Sequence, residues 1–232
     1  MESALIRAPD PVPSRRHGMI RGFLRVALYV ILAALPLVLA LIWGTRDRSF
    51  IWNTARGAAL VGIVLLALQS VLAGRFKWIT RPFGFDMVIR FHRNMAVFAL
   101  GLLIAHPVLM AFGGAGWRII IGGSALVWVG KAALVLVLVN VLLSLYQTRL
   151  GLKFERWRFL HDLFGPAILA LAFTHSWLIG TDLRLTVLQV LWIALLGAAV
   201  AAFGYHKIIR PRRLARDPYV VTEVKREAPR VW

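Results

Sequence analysis

Four of the six histidines in this 232-residue chain are spaced in a way that suggests metal chemistry. His92 and His106 are 14 residues apart, and so are His161 and His175. On an α-helix, 14 steps of ~100° end about 40° short of four full turns. Each pair therefore lies on one helix face, with about 21 Å of rise between its members. Neutral imidazole is a common metal ligand. A closed zinc site wants four ligands close together, whereas these residues form two layers. Two layers of two imidazoles suit two haems, each iron held from both sides. His17, in a basic stretch, and His206, beside Lys207, need no special role.

The chain has no cysteine. That excludes disulfides, Cys-ligated iron–sulfur clusters, thiolate catalysis and the Cys-x-x-Cys-His attachment of c-type haem. The two haems would therefore be of the b type.

The elements that carry these histidines are apolar. Hydrophobic residues make up 59% of the chain, charged residues only 16%, and the mean hydropathy is +0.73. Six runs lack any Asp, Glu, Lys or Arg: 26–45, 57–74, 94–117, 132–148, 163–181 and 185–206. Each is close to the ~20 residues that a helix needs to cross ~30 Å of hydrocarbon. They do not alternate as transmembrane strands would. In the fourth, Lys131 interrupts an apolar stretch that begins near Ile119, so its first part is expected along the interface. The net charge of +18 does not point to nucleic acid, because the basic residues flank apolar spans and form no basic domain.

Lys and Arg concentrate in the N-terminal tail, the second loop, the fourth loop and the C-terminal segment, and are sparser in the other loops. The positive-inside rule then puts both termini in the cytoplasm. The expected fold is all-α and integral to the membrane: a multi-pass bundle of six transmembrane helices in the inner (plasma) membrane, with haems between helices 3 and 5. Those two helices run parallel, so equal His spacing brings His92 level with His161 at the inner side and His106 level with His175 at the outer side.

Residues 1–20 read as a basic tail and not as a cleavable signal, because the first apolar run exceeds an h-region and no small-residue cleavage site follows. Residues 21–210 form the helical domain. Residues 211–232 read as a linker followed by a strand-like segment, Tyr219–Lys225. A lone hairpin is barely stable in water. The segment is therefore expected to open a soluble β module that is absent from this chain; the alternative is an unstructured tail.

Small residues would leave room for a haem: Ala96, Ala99, Gly101 and Ala105 on helix 3, and Gly165, Ala167, Ala170 and Ala172 on helix 5. Such residues also serve ordinary helix packing. Arg93 and Arg158 are candidates for contacts to the inner propionates, with Arg90 and Arg156 nearby, and Arg118 and Arg184 could serve the outer layer. Phe98 and Phe173 are candidates for a path between the haems.

The motifs Phe91-His92-Arg93-Asn94, Ala105-His106-Pro107, Arg156-Trp157-Arg158-Phe159-Leu160-His161 and Thr174-His175-Ser176 resemble those of the ferric reductase-like transmembrane domain shared by ferric-chelate reductases and NADPH oxidases. The resemblance covers about residues 21–210. It implies that His92 and His161 ligate an inner haem and that His106 and His175 ligate an outer one. It also implies an oxidoreductase in which electrons pass from NAD(P)H through FAD and both haems to an outer acceptor such as a ferric chelate or O₂. The FAD- and NAD(P)H-binding module would be fused or separate, since no Gly-rich dinucleotide fingerprint follows a strand here. Two alternatives stand beside this reading. One is the short haem b subunit of bacterial methionine sulfoxide repair, a periplasmic repair system, in which the residue matching His92 is usually not His. The other, from a different class, is a proton-coupled transporter with a histidine relay.

Overall fold

A computed structural model describes residues 15–44 and 49–216, and these are helical almost throughout. Helix α1 spans Arg15–Trp43, α2 Phe50–Ala73, α3 Lys77–Thr80, α4 Phe85–Met110, α5 Arg118–Ile121, α6 Ala125–Tyr146, α7 Phe154–Ile179, α8 Thr186–Gly204 and α9 Arg210–Arg216. Six stretches are long and apolar enough to cross a membrane: Met19–Trp43, Phe50–Ala73, Phe85–Ala115, Ala125–Tyr146, Phe154–Ile179 and Thr186–Arg216. They match the six apolar runs one for one. The strand-like Tyr219–Lys225 and residues 1–14 lie outside the described residues.

The helices reach further than the charge-free runs. The first takes in Arg21 and Arg25, α4 takes in Asp86, Arg90 and Arg93, and α7 takes in Arg156 and Arg158. Long basic side chains carry their charge to the interface while the backbone stays helical. At the other end of the chain, a π-helical turn at Tyr205–Ile209 leads into α9, so the first part of the expected linker is helical. Pro211 has no N–H to give the preceding turn, and a widened turn accommodates its ring.

Lys131 lies inside α6. Its Nζ reaches back to the Gly122 carbonyl at 2.5 Å and sits 4.1 Å from the centre of the Trp128 ring. The stretch before it is a separate short helix, α5, divided from α6 by Gly122 and Gly123.

Helix α2 is central. Its Leu60, Ile63, Val64, Ala67 and Leu68 are buried in one cluster with Leu169, Ala172 and Phe173 of α7 and Leu188, Trp192, Leu195 and Ala199 of α8. A Cβ on Gly62 would lie 2.9 Å from Leu103, which measures how closely α2 and α4 approach. The chief packing partners are α2 with α4 and α6 with α7, and α4 and α7 scarcely touch along their backbones. The two histidine-bearing helices thus face each other across a gap. Leu100, Val137, Val141 and Ile168 fill the middle of that gap.

Candidate haem site

Helices α4 and α7 are each 26 residues long, and in each the histidines are the 8th and 22nd residues. The common placement puts His92 beside His161 and His106 near His175. The end carrying His92 and His161 is termed the inner end below, and the other the outer end.

At the inner end the rings of His92 and His161 are 6.2 Å apart, centre to centre, and inclined at 69°. Two imidazoles on opposite sides of one metal place their nitrogens about 4 Å apart, given metal–nitrogen bonds of about 2 Å. Adding about 1 Å from each nitrogen to its ring centre gives about 6 Å, so the observed spacing fits. Nδ1 of His161 donates to Oδ1 of Asn140 at 3.0 Å, which leaves Nε2 with its lone pair for a metal. Trp157 stacks on the same imidazole, with centroids 5.4 Å apart and 27° between planes. The His92 ring lies beside the Gln69 backbone, and its buried Nδ1 makes no hydrogen bond among the described residues.

At the outer end, Nδ1 of His106 donates to the Ala55 carbonyl at 2.9 Å, and Nδ1 of His175 donates to the Leu126 carbonyl at 2.7 Å. A carbonyl only accepts, so each ring carries a proton on Nδ1, and in the neutral tautomer this leaves Nε2 for a metal. Both histidines line a cavity of about 530 Å³, within the range of cofactor pockets. Its walls are largely apolar, with Arg56, Lys131, Ser176, Thr181 and Asp182 as polar members. Among the described residues, no three His, Asp or Glu side chains cluster as a bare metal ion would require. The donor set is thus two pairs of imidazoles, one pair with its rings 6.2 Å apart and the other lining one cavity, and this fits two haems.

An ion pair borders the outer cavity. Arg56 of α2 grips Asp182 through two bonds, one from Nε to Oδ2 at 2.8 Å and one from Nη2 to Oδ1. Nη1 also donates to Oδ1 of Asn53 at 3.2 Å. The side chains of Arg56 and Asp182 are only 12% and 6% exposed. At the inner end, Asp162 accepts from Lys207, and Arg158 stands 3.9 Å from the same carboxylate oxygen.

The other expected contributors are placed less uniformly. Arg90, Arg93, Arg156 and Arg158 are exposed at the inner end, and Arg118 and Arg184 are exposed at the outer end. Phe98 is 53% exposed on the outside of the bundle, and Phe173 packs against Trp192 at 6.1 Å in the core shared with α8. The helical step explains this: two residues turn Phe173 about 160° away from His175. The middle of the gap is instead aliphatic, as described above.

Sequence reasoning passed over Asn140, Ser144, Gly130 and the Arg56–Asp182 pair. A signal existed for Asn140, because a carboxamide within an apolar span is costly unless it has a partner. Asp182 carried none, since it reads as an ordinary loop residue.

Residues 58–172 match the family model described as "ferric reductase like transmembrane component". The match includes His92, His106 and His161 and stops three residues before His175. A comparison with curated proteins gives no match.

Proposed function

Residues 58–172 belong to the ferric reductase-like transmembrane family, and on that premise we propose that the chain conducts electrons across the membrane through two b haems. The six spans and the family match support a multi-pass membrane protein of oxidoreductase type. In the proposed reading both termini are cytoplasmic. A reduced-flavin donor derived from NAD(P)H acts at the inner end, and a ferric chelate or O₂ is reduced at the outer end.

The observation that carries this reading is the arrangement of paired imidazoles. His92 and His161 would hold the inner haem, and His106 and His175 the outer one. Haem b supplies a one-electron iron couple when bound. The protein's own residues do the rest. The acceptors at Asn140, Ala55 and Leu126 hold three rings through Nδ1, which leaves Nε2 of each for a haem iron. Leu100, Val137, Val141 and Ile168 exclude water between the layers. Exposed Arg93 and Arg158 offer cationic partners for anionic groups at the inner end. His92 opposite His161 favours a two-pair site over the repair-subunit reading.

The test is optical. The purified chain, reduced with dithionite, should give the sharp visible bands of six-coordinate low-spin b haem. His92→Ala with His106→Ala should abolish them. A colourless wild-type chain that binds no added haem would exclude this function.

A further inference from the structure

The groups behind the histidines repeat the histidines' own spacing. The acceptor for His175 is the carbonyl of Leu126, and Asn140, the acceptor for His161, lies 14 residues further along α6. The acceptor for His106 is the carbonyl of Ala55, and Gln69, beside His92, lies 14 residues further along α2. The residue one turn beyond each of these four positions is small: Gly130, Ser144, Ala59 and Ala73. Helices α2 and α6 thus carry the same four-turn interval as α4 and α7, and they brace the ligand rings from behind. The two hydrogen bonds at the outer level end on main-chain carbonyls, and the one at the inner level ends on a side chain.

The local chemistry explains the change at Asn140. Its main-chain carbonyl accepts from the Ser144 hydroxyl at 2.7 Å. The Ser144 oxygen in turn accepts from Trp157 Nε1 at 3.2 Å and stands 3.4 Å from Nδ1 of His161, at the long limit for a hydrogen bond. The carboxamide oxygen, at 3.0 Å, is the better acceptor.

We propose that Asn140 is a positioning residue that holds His161 through Nδ1–H and sets the reduction potential of the inner haem. The proposal rests on the haem-ligand reading above. An acceptor on Nδ1–H makes Nε2 more basic, and a more basic axial ligand favours the ferric state. Asn140 therefore lowers the inner potential relative to a chain without that acceptor. A main-chain acceptor is available at any residue, whereas the side chain at position 140 can be exchanged. The inner potential is thus adjustable by sequence, and at the outer layer this lever is fixed by the backbone.

The test uses the full 232-residue chain loaded with haem and titrated electrochemically, with visible spectra and low-spin ferric EPR as readouts. His175→Ala identifies the inner component as the one that remains. Asn140→Leu keeps a similar volume and removes the acceptor. It should raise the inner potential and alter the EPR signal of that haem alone, with the outer component unmoved. Asn140→Asp keeps an oxygen acceptor and should return the inner potential to the wild-type value or below. Loss of the inner haem in Asn140→Leu but not in Asn140→Asp would equally support the role. The proposal is overturned if neither variant shifts the inner potential, if both shift it alike, or if both lose the inner haem. A wild-type chain with no haem titration at all would instead defeat the ligand reading itself.

Discussion

A Cβ added to Gly130 would lie 2.6 Å from the ring of His175. The imidazole rests directly on the backbone of α6, where it reaches the Leu126 carbonyl one turn earlier. No side chain fits between them, and the ring is held by its hydrogen bond. Gly130→Ala should therefore push the ring off its acceptor. Overpacking of this kind costs about 1–3 kcal/mol, or roughly 5- to 150-fold in affinity. Haem titration of the apo-chain should show that loss at the outer site, with the inner site unchanged. Equal affinity at both sites in the variant would contradict the placement.

The two layers should behave independently, because about 21 Å of helix separates their ligands. His106→Ala or His175→Ala should remove mainly the outer haem. The inner haem should remain reducible from the inner side, while reduction of an outer ferric chelate stops. Haem counting and stopped-flow reduction would show this. Loss of both haems from a folded chain would contradict it.

The Arg56–Asp182 pair should matter for stability. Removing one partner of a buried ion pair typically costs about 3–5 kcal/mol. Asp182→Ala should therefore lower the thermal unfolding midpoint in detergent clearly, and Asp182→Asn, which keeps an acceptor for Arg56, should lower it less. Identical midpoints for wild type and Asp182→Ala would show that the pair adds nothing.

The inner surface should attract an anionic donor. Arg81, Arg90, Arg93, Lys153, Arg156 and Arg158 are all exposed there. Steering by such a surface weakens as the screening length falls from about 30 Å at 0.01 M salt to about 10 Å at 0.1 M. Haem reduction by a flavoprotein and NAD(P)H should slow with added salt, and NADPH alone should not reduce the 232-residue chain. Rapid reduction by NADPH without a flavoprotein would overturn this division of roles.

The histidine register was legible in the sequence because helical geometry is regular. Once His92/His106 and His161/His175 share a spacing on parallel helices, their levels follow without knowledge of the packing. The span limits were less legible, since arginines such as Arg90 and Arg93 lie inside α4 with their charge at its edge. The surroundings of the rings depend on which helix stands behind each one. Asn140 and Gly130 acquire meaning only when α6 lies along α7. The placement of the aromatic candidates was not legible for the same reason: which face a residue such as Phe98 or Phe173 presents to the gap depends on how its helix is rotated in the bundle. Arg56 and Asp182 are 126 residues apart, and no local pattern links them.

In the proposed function, four histidines hold two haems. A pyridine haemochrome assay on the fully loaded chain, set against protein by quantitative amino-acid analysis, tests it most directly. Two b haems per chain are expected, falling to one in His175→Ala. One haem or none in the wild-type chain, or two retained in His175→Ala, would contradict it.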